Sequence, residues 1–109
     1  MSPSGHGYER LYEYDVIGAG LSAIGSARNF WLKSGTHELE FLGVRVEALM
    51  PYTHVIPADV LDIDDTHRTI TVPYSEDKIR GAPHFGLHDP ITEADRERIY
   101  AYYGVEPPH

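Results

Sequence analysis

The residues from Thr53 to Phe85 constrain the fold more than any other stretch, because they alternate strand and turn signals with no room for a long helix. Val55 and Ile56 begin an apolar run that Pro57 interrupts. Proline has no N–H to give to a central ladder, so Pro57 belongs at a strand end, an edge or a bulge. Val60, Leu61 and Ile63 resume the run. Asp64-Asp65-Thr66-His67 then supplies turn chemistry, since short polar side chains bond back to the local backbone. Ile70, Val72 and Tyr74 recur with a period of two, which is the mark of a half-buried strand. Ser75 can cap a helix whose first turn holds Glu76 and Asp77; Gly81 suits its end and Pro83 blocks its continuation. The spacing therefore predicts strand, tight turn, strand and a short helical turn over 75–81.

The flanking segments extend a mainly β reading. Residues 1–7 are small and polar, as in a disordered tail. Tyr8 to Tyr14 reads as a first strand or as an ordered arm against the sheet. Ser22 to Lys33 reads as a strand, Ser34-Gly35-Thr36 as a turn, and His37 to Met50 as a long strand with a phase break. Leu39 and Phe41 share one parity, whereas Val44 and Val46 take the other. A switch beside Gly43 predicts a β-bulge there, with a positive φ at the glycine. Gly86 to Pro90 reads as loop. Thr92 starts a helix over 92–103: it pairs with Asp95 as a capping box, Gly104 closes the helix, and Val105 can reach Tyr100. Residues 106–109 form a tail, which leaves one domain over 8–105.

Asp15 to Ala23 admits a second reading. Gly18-Ala19-Gly20, with Ala23 in the third glycine place, matches a dinucleotide-binding fingerprint, and Glu38 and Glu40 fall about 20 residues on, where a ribose-binding acid is expected. That reading makes the chain a fragment of a dinucleotide-binding enzyme. Against it, Glu38 and Glu40 begin an apolar run instead of ending a strand, and no further strand–helix alternation follows to build a parallel sheet. The competing reading is a β-hairpin with a Gly-Ala-Gly turn.

No other pattern assembles a catalytic site. Gly20-Leu21-Ser22-Ala23-Ile24 does not match the nucleophile elbow. Asp62, Asp64 and Asp65 lack the later glycine and glutamate of a calcium loop. His84 and His88 stand four apart with Asp89 adjacent, a spacing that would gather two metal ligands on a helix. Pro83, Gly86 and Pro90 argue against a helix there, so these read as surface histidines. No catalytic residue, metal or cofactor is expected. The chain has no cysteine and a formal charge of −8, which excludes thiolate sites and argues against a phosphate-tracking surface. No apolar run nears the ~20 residues of a membrane span, so the expectation is a cytoplasmic chain without membrane insertion. Eight tyrosines, three phenylalanines and Trp31 exceed what so small a core needs. Aromatic side chains concentrate at the centres of interfaces, which makes Trp31, Tyr52, His84 and His88 the candidate interaction surface and a homodimer the expected state.

Ile56-Pro57-Ala58-Asp59, the span Ser75 to Ile79 and Ala82-Pro83-His84-Phe85 together resemble the second half of a PRC-barrel domain. Thr92-Glu93, Ile99-Tyr100 and Tyr103-Gly104-Val105 are similar to the short helix that follows the barrel in the branch containing the photosynthetic reaction-centre H subunit. The resemblance runs from about Tyr12 to Val105. It implies a small antiparallel β-barrel that acts as a non-enzymatic binding or assembly module. The reaction-centre branch implies docking to a membrane protein complex, with surface acids and histidines assisting proton transfer. The ribosome-maturation branch implies binding of a ribosomal protein.

From the charge follows a first prediction. The protein does not bind duplex DNA or RNA at physiological salt, and fluorescence anisotropy should detect no micromolar complex. Salt-sensitive micromolar binding would refute it.

Overall fold

The computed structural model of the chain describes residues 4–106, with side chains from Tyr8 onward. Two hairpins and their continuation supply the strands in sequence. Strand β1 (Asp15–Ile17) turns into β2 (Ala23–Leu32), which pairs antiparallel with β3 (Leu39–Arg45), and β3 pairs with β4 (Tyr52–Pro57). A 3-10 turn at Ala58–Val60 leads into β5 (Asp62–Asp64) and β6 (Thr69–Thr71). Helix α1 (Glu76–Arg80), β7 (His84–Gly86) and helix α2 (Glu93–Tyr103) follow. The strands form one sheet in the order β5-β6-β1-β2-β3-β4-β7. Six of its strand pairs include one parallel pair, β1 with β6, in an otherwise antiparallel sheet. Its two ends, β5 and β7, do not pair with each other, so the sheet is open where a closed antiparallel barrel was expected. No helix among the described residues is long and apolar enough to cross a membrane.

The 53–85 stretch folds as its residues dictate. Asp64 Oδ1 accepts from the backbone N–H of Thr66 (3.0 Å) and His67 (3.2 Å), which closes the β5–β6 turn. Ser75 accepts from Lys78 N–H at 3.1 Å and caps α1. The capping box of Thr92 and Asp95 is present on α2, and Gly104 ends that helix at φ +68°. Two boundaries differ from expectation. Strand β3 stops at Arg45, and the polypeptide turns through 46–51 with Leu49 exposed. His84–Gly86 is also strand, since it finds hydrogen-bonding partners on β4 that its own sequence does not advertise.

Gly18-Ala19-Gly20 lies in a hairpin. Gly18 N–H donates to Ser22 O at 3.0 Å and Leu21 N–H donates to Gly18 O at 2.9 Å, so β2 and not a helix follows the glycines. A dinucleotide fingerprint needs a helix N-terminus at that point to face the pyrophosphate. The residue at positive φ in the turn is Leu21, at 65°, and neither glycine.

The phase break in β3 has a different origin from the one expected. The register slips at Glu40, where Trp31 faces Phe41 and Leu32 faces Leu39, and again at Arg28 on β2, between the pairs Ala27–Val44 and Asn29–Gly43. Gly43 itself is in register with both neighbours, opposite Asn29 and Val55. Its φ is not positive. Phe41, Leu42 and Val44 are all buried, so both parities of this central strand are apolar because both of its faces are covered.

The N-terminal arm is helical, not extended. A 3-10 turn over Ser4–Leu11 buries Leu11 in the core. Asp65 holds the arm in place: it accepts from Arg10 Nε at 2.8 Å and from the Tyr14 hydroxyl at 2.8 Å. These bonds hold the Asp65 carboxyl below its ordinary range, Arg10 contributing most. Residues 1–3 and 107–109, assigned to the tails, lie outside the described residues.

Gly43→Val tests the packing of the sheet. A side chain at residue 43 would meet the Thr53 side chain and, at 2.8 Å, the Asn29 Cβ. Overpacking of this kind costs about 1–3 kcal/mol. A two-state urea melt should show a loss in that range, and an unchanged midpoint would mean the neighbours move aside freely.

Candidate functional site

The open end of the sheet at β7 brings together two of the residues singled out from sequence, Tyr52 and His84. In the β4–β7 register, His54 lies opposite His84 and Thr53 opposite Phe85. Val55 N–H donates to Pro83 O at 3.1 Å, which makes that position a hydrogen-bonded one. By alternation His54 and His84 form a non-hydrogen-bonded pair, the kind whose side chains approach most closely. Their ring centroids are 5.6 Å apart. Tyr52, two residues before His54 on the same face, places its ring 4.3 Å from His84 and 5.6 Å from His54.

The three rings are differently engaged. His54 is buried, with Nδ1 3.0 Å from Ala82 O. A carbonyl only accepts, so Nδ1 carries a proton and donates it to Ala82 O. His84 is exposed and Tyr52 half-buried, so the ring pair is reachable from solvent. This arrangement can stack on another planar group or on a cation. It contains no nucleophile–base pair, because the partner of His54 is a carbonyl and that of His84 is a tyrosine ring.

Trp31 and His88 do not join this cluster. Trp31 lies on the opposite side of the sheet, edge-on to Phe85 at 6.1 Å, and its indole N–H donates to Asp89 O at 3.0 Å. Asn29 donates to Gly86 O at 3.3 Å and to Leu87 O at 3.1 Å, and Asp89 Oδ2 accepts from Gly86 N–H at 2.9 Å. Trp31 and Asn29 thus fasten residues 86–89 as a strap over the sheet. His88 is exposed on that strap, as a surface histidine. Among the described residues no group of three or more His, Asp or Glu side chains is placed to hold a metal ion.

A second polar centre sits where α2 meets the sheet. Glu40, the extra residue of the β3 bulge, is buried. It accepts from Arg96 Nε at 2.6 Å and from the Tyr100 hydroxyl at 3.0 Å. Glu40, Arg96 and Ile91 border a cleft of about 490 Å³. Burial, and then the bond to Glu40, push the Tyr100 phenol well above the ordinary tyrosine range; burial does the same for Tyr103, whose hydroxyl donates to Val55 O at 2.6 Å. The folded values exceed the unfolded ones, so both phenols contribute stability that is complete below about pH 10 and is lost as pH rises further.

From sequence Glu40 was considered only as a ribose-binding acid, and His54 was not singled out as a site residue. For Glu40 one signal was available: an acid inside an apolar run beside a parity change. For His54 none was, because its importance comes from β7, which lies thirty residues later. No protein-family model matches the chain, and no curated protein matches it.

Arg96→Ala leaves the Glu40 carboxylate buried without its cation. Breaking such a pair costs about 3 kcal/mol or more, here the low end because Arg96 remains 24% exposed. Arg98→Ala removes only an exposed pair with Asp95 and should cost about 0.5 kcal/mol. Urea melts of the two variants should differ accordingly, and equal losses would assign the Glu40–Arg96 pair no special role.

Proposed function

We propose that this chain is a non-enzymatic binding module of the PRC-barrel type, which assembles with protein partners through the open end of its sheet, and that it forms a homodimer there. The observation that carries the reading is the pair of rings formed by Tyr52 on β4 and His84 on terminal strand β7, backed by the buried ring of His54. Planar rings on a rigid strand pair present contact area at little cost in side-chain entropy. The backbone of His84 also faces away from β4, at the sheet's edge, while Pro83 beside it limits how far strand pairing can extend. Ring contacts, more than a continued ladder, therefore make the interface. Trp31 supports this surface from behind through Asp89 and Phe85. The sequence resemblance adds the family, and the net charge of −8 favours a protein partner over a nucleic acid.

The experiment is light scattering at micromolar concentration. A dimer of the 12.3 kDa chain is expected, with Tyr52→Ala and His84→Ala shifting it towards monomer while retaining the fold. Trp31→Ala should lower the melting temperature through loss of the strap before it alters the mass. A monomeric wild type would overturn the dimer.

A further inference from the structure

We propose that a groove on the sheet between β2 and β3 binds a small oxyanion through Arg45 and Arg28. The groove, of about 350 Å³, lies on the β2–β3 strand pair away from the β7 ring cluster, and does not depend on the dimer. Arg45 is the last residue of β3, directly opposite Ser26 on β2. Its Nε is buried and finds no hydrogen-bond acceptor among the described residues. Elsewhere in this acidic chain cations meet carboxylates: Arg10 with Asp65, Arg80 with Glu76, Arg96 with Glu40, Arg98 with Asp95. Arg45 makes no ion pair among the described residues. A buried N–H donor without an acceptor costs free energy, and a charged one costs more. An anion in the groove removes that cost once the Arg45 side chain turns its Nε–H edge towards the opening.

The surroundings supply the rest of a site. Arg28 is positioned beside Ser26, with Nε 3.4 Å from the Ser26 hydroxyl. Its Nη1 donates to the Tyr12 hydroxyl at 3.0 Å, and the guanidinium rests 5.3 Å from the centre of the Tyr12 ring. Its nearest carboxylate, Glu13, is 4.0 Å away, so much of its charge stays available to the groove. Gly25 lets β2 pass close to β3 here, since a Cβ on it would strike the Arg45 carbonyl. Asp15 also borders the groove but forms no ion pair with either arginine among the described residues. It disfavours a polyanion and leaves space for one small group. The guanidinium edge made by Nε and one Nη matches two oxygens of a carboxylate or a phosphate.

Nitrogen-detected or proton–nitrogen NMR of the arginine side chains tests this on the intact protein. Sodium acetate and sodium phosphate are titrated separately against sodium chloride at matched ionic strength. The expected result is a saturable shift of the Arg45 Nε–H signal with acetate or phosphate but not with chloride. Which of the two saturates first identifies the oxyanion as a carboxylate or a phosphate. Arg45→Gln should weaken binding about tenfold or more, the loss expected for a charge-assisted pair, with Arg45→Lys intermediate because it keeps the charge and loses the fork. A shift equal to that of chloride, or undiminished binding in a folded Arg45→Gln, overturns the proposal. Should Arg45→Gln not fold, the wild-type Nε–H titration, repeated in Arg28→Gln, decides.

Discussion

One buried carboxylate ties the C-terminal helix to the sheet. Glu40 points inward because the β3 ladder carries an extra residue there, and α2 meets it with Arg96 and Tyr100. Each half depends on the other. A buried carboxylate without a cation is costly, and an eleven-residue helix of this composition is marginal in water. The same helix seats Ile99 and Tyr103 in the core, where Tyr103 also donates to the Val55 carbonyl. Phe41 packs against Tyr100 at 5.2 Å, so apolar and polar contacts share one joint. A pair of this kind adds little net stability compared with an apolar substitute; its effect here is to set where the helix docks.

The bulges that turn Glu40 inward also shape the rest of the sheet. A bulge raises local twist and lets a small sheet curl. The slip at Arg28 on β2 falls beside Ser26 and opposite the end of β3, where Arg28 and Arg45 come to border one groove. The two slips thus lie beside the helix joint and the arginine groove. Gly43 allows the curl in another way, by close approach: Thr53 and Asn29 occupy the space a side chain would need.

At the far end, the sheet stays open instead of closing on itself. Short edge strands limit uncontrolled pairing, and both β5 and β7 are three residues long. Strand β5 presents Asp62 and Asp64, whose charge deters a second strand. Strand β7 is different, since it carries His84 beside Tyr52 and is braced from behind by Trp31 and the strap. The two edges are therefore unequal, and only the β7 edge offers rings to a partner.

Local chemistry determined much of this protein from the sequence alone. The Asp64 turn, the Ser75 cap, the Thr92–Asp95 capping box and the αL glycine at residue 104 all use neighbours within four residues, so they could be read directly. The hairpin at Gly18–Ser22 was legible too, as one of two readings, because no helix pattern supports the alternative. What tertiary structure decided is whatever depends on a distant partner. Strand β7 exists because β4 pairs with it, and His54 meets His84 only through that register. The β3 phase break looked like a glycine bulge, because a strand covered on both faces shows no alternation from which to place the extra residue. The openness of the sheet and the parallel β1–β6 pair were hidden for a related reason. Register and closure depend on how curvature sums over seven strands, a property that no single stretch of residues carries.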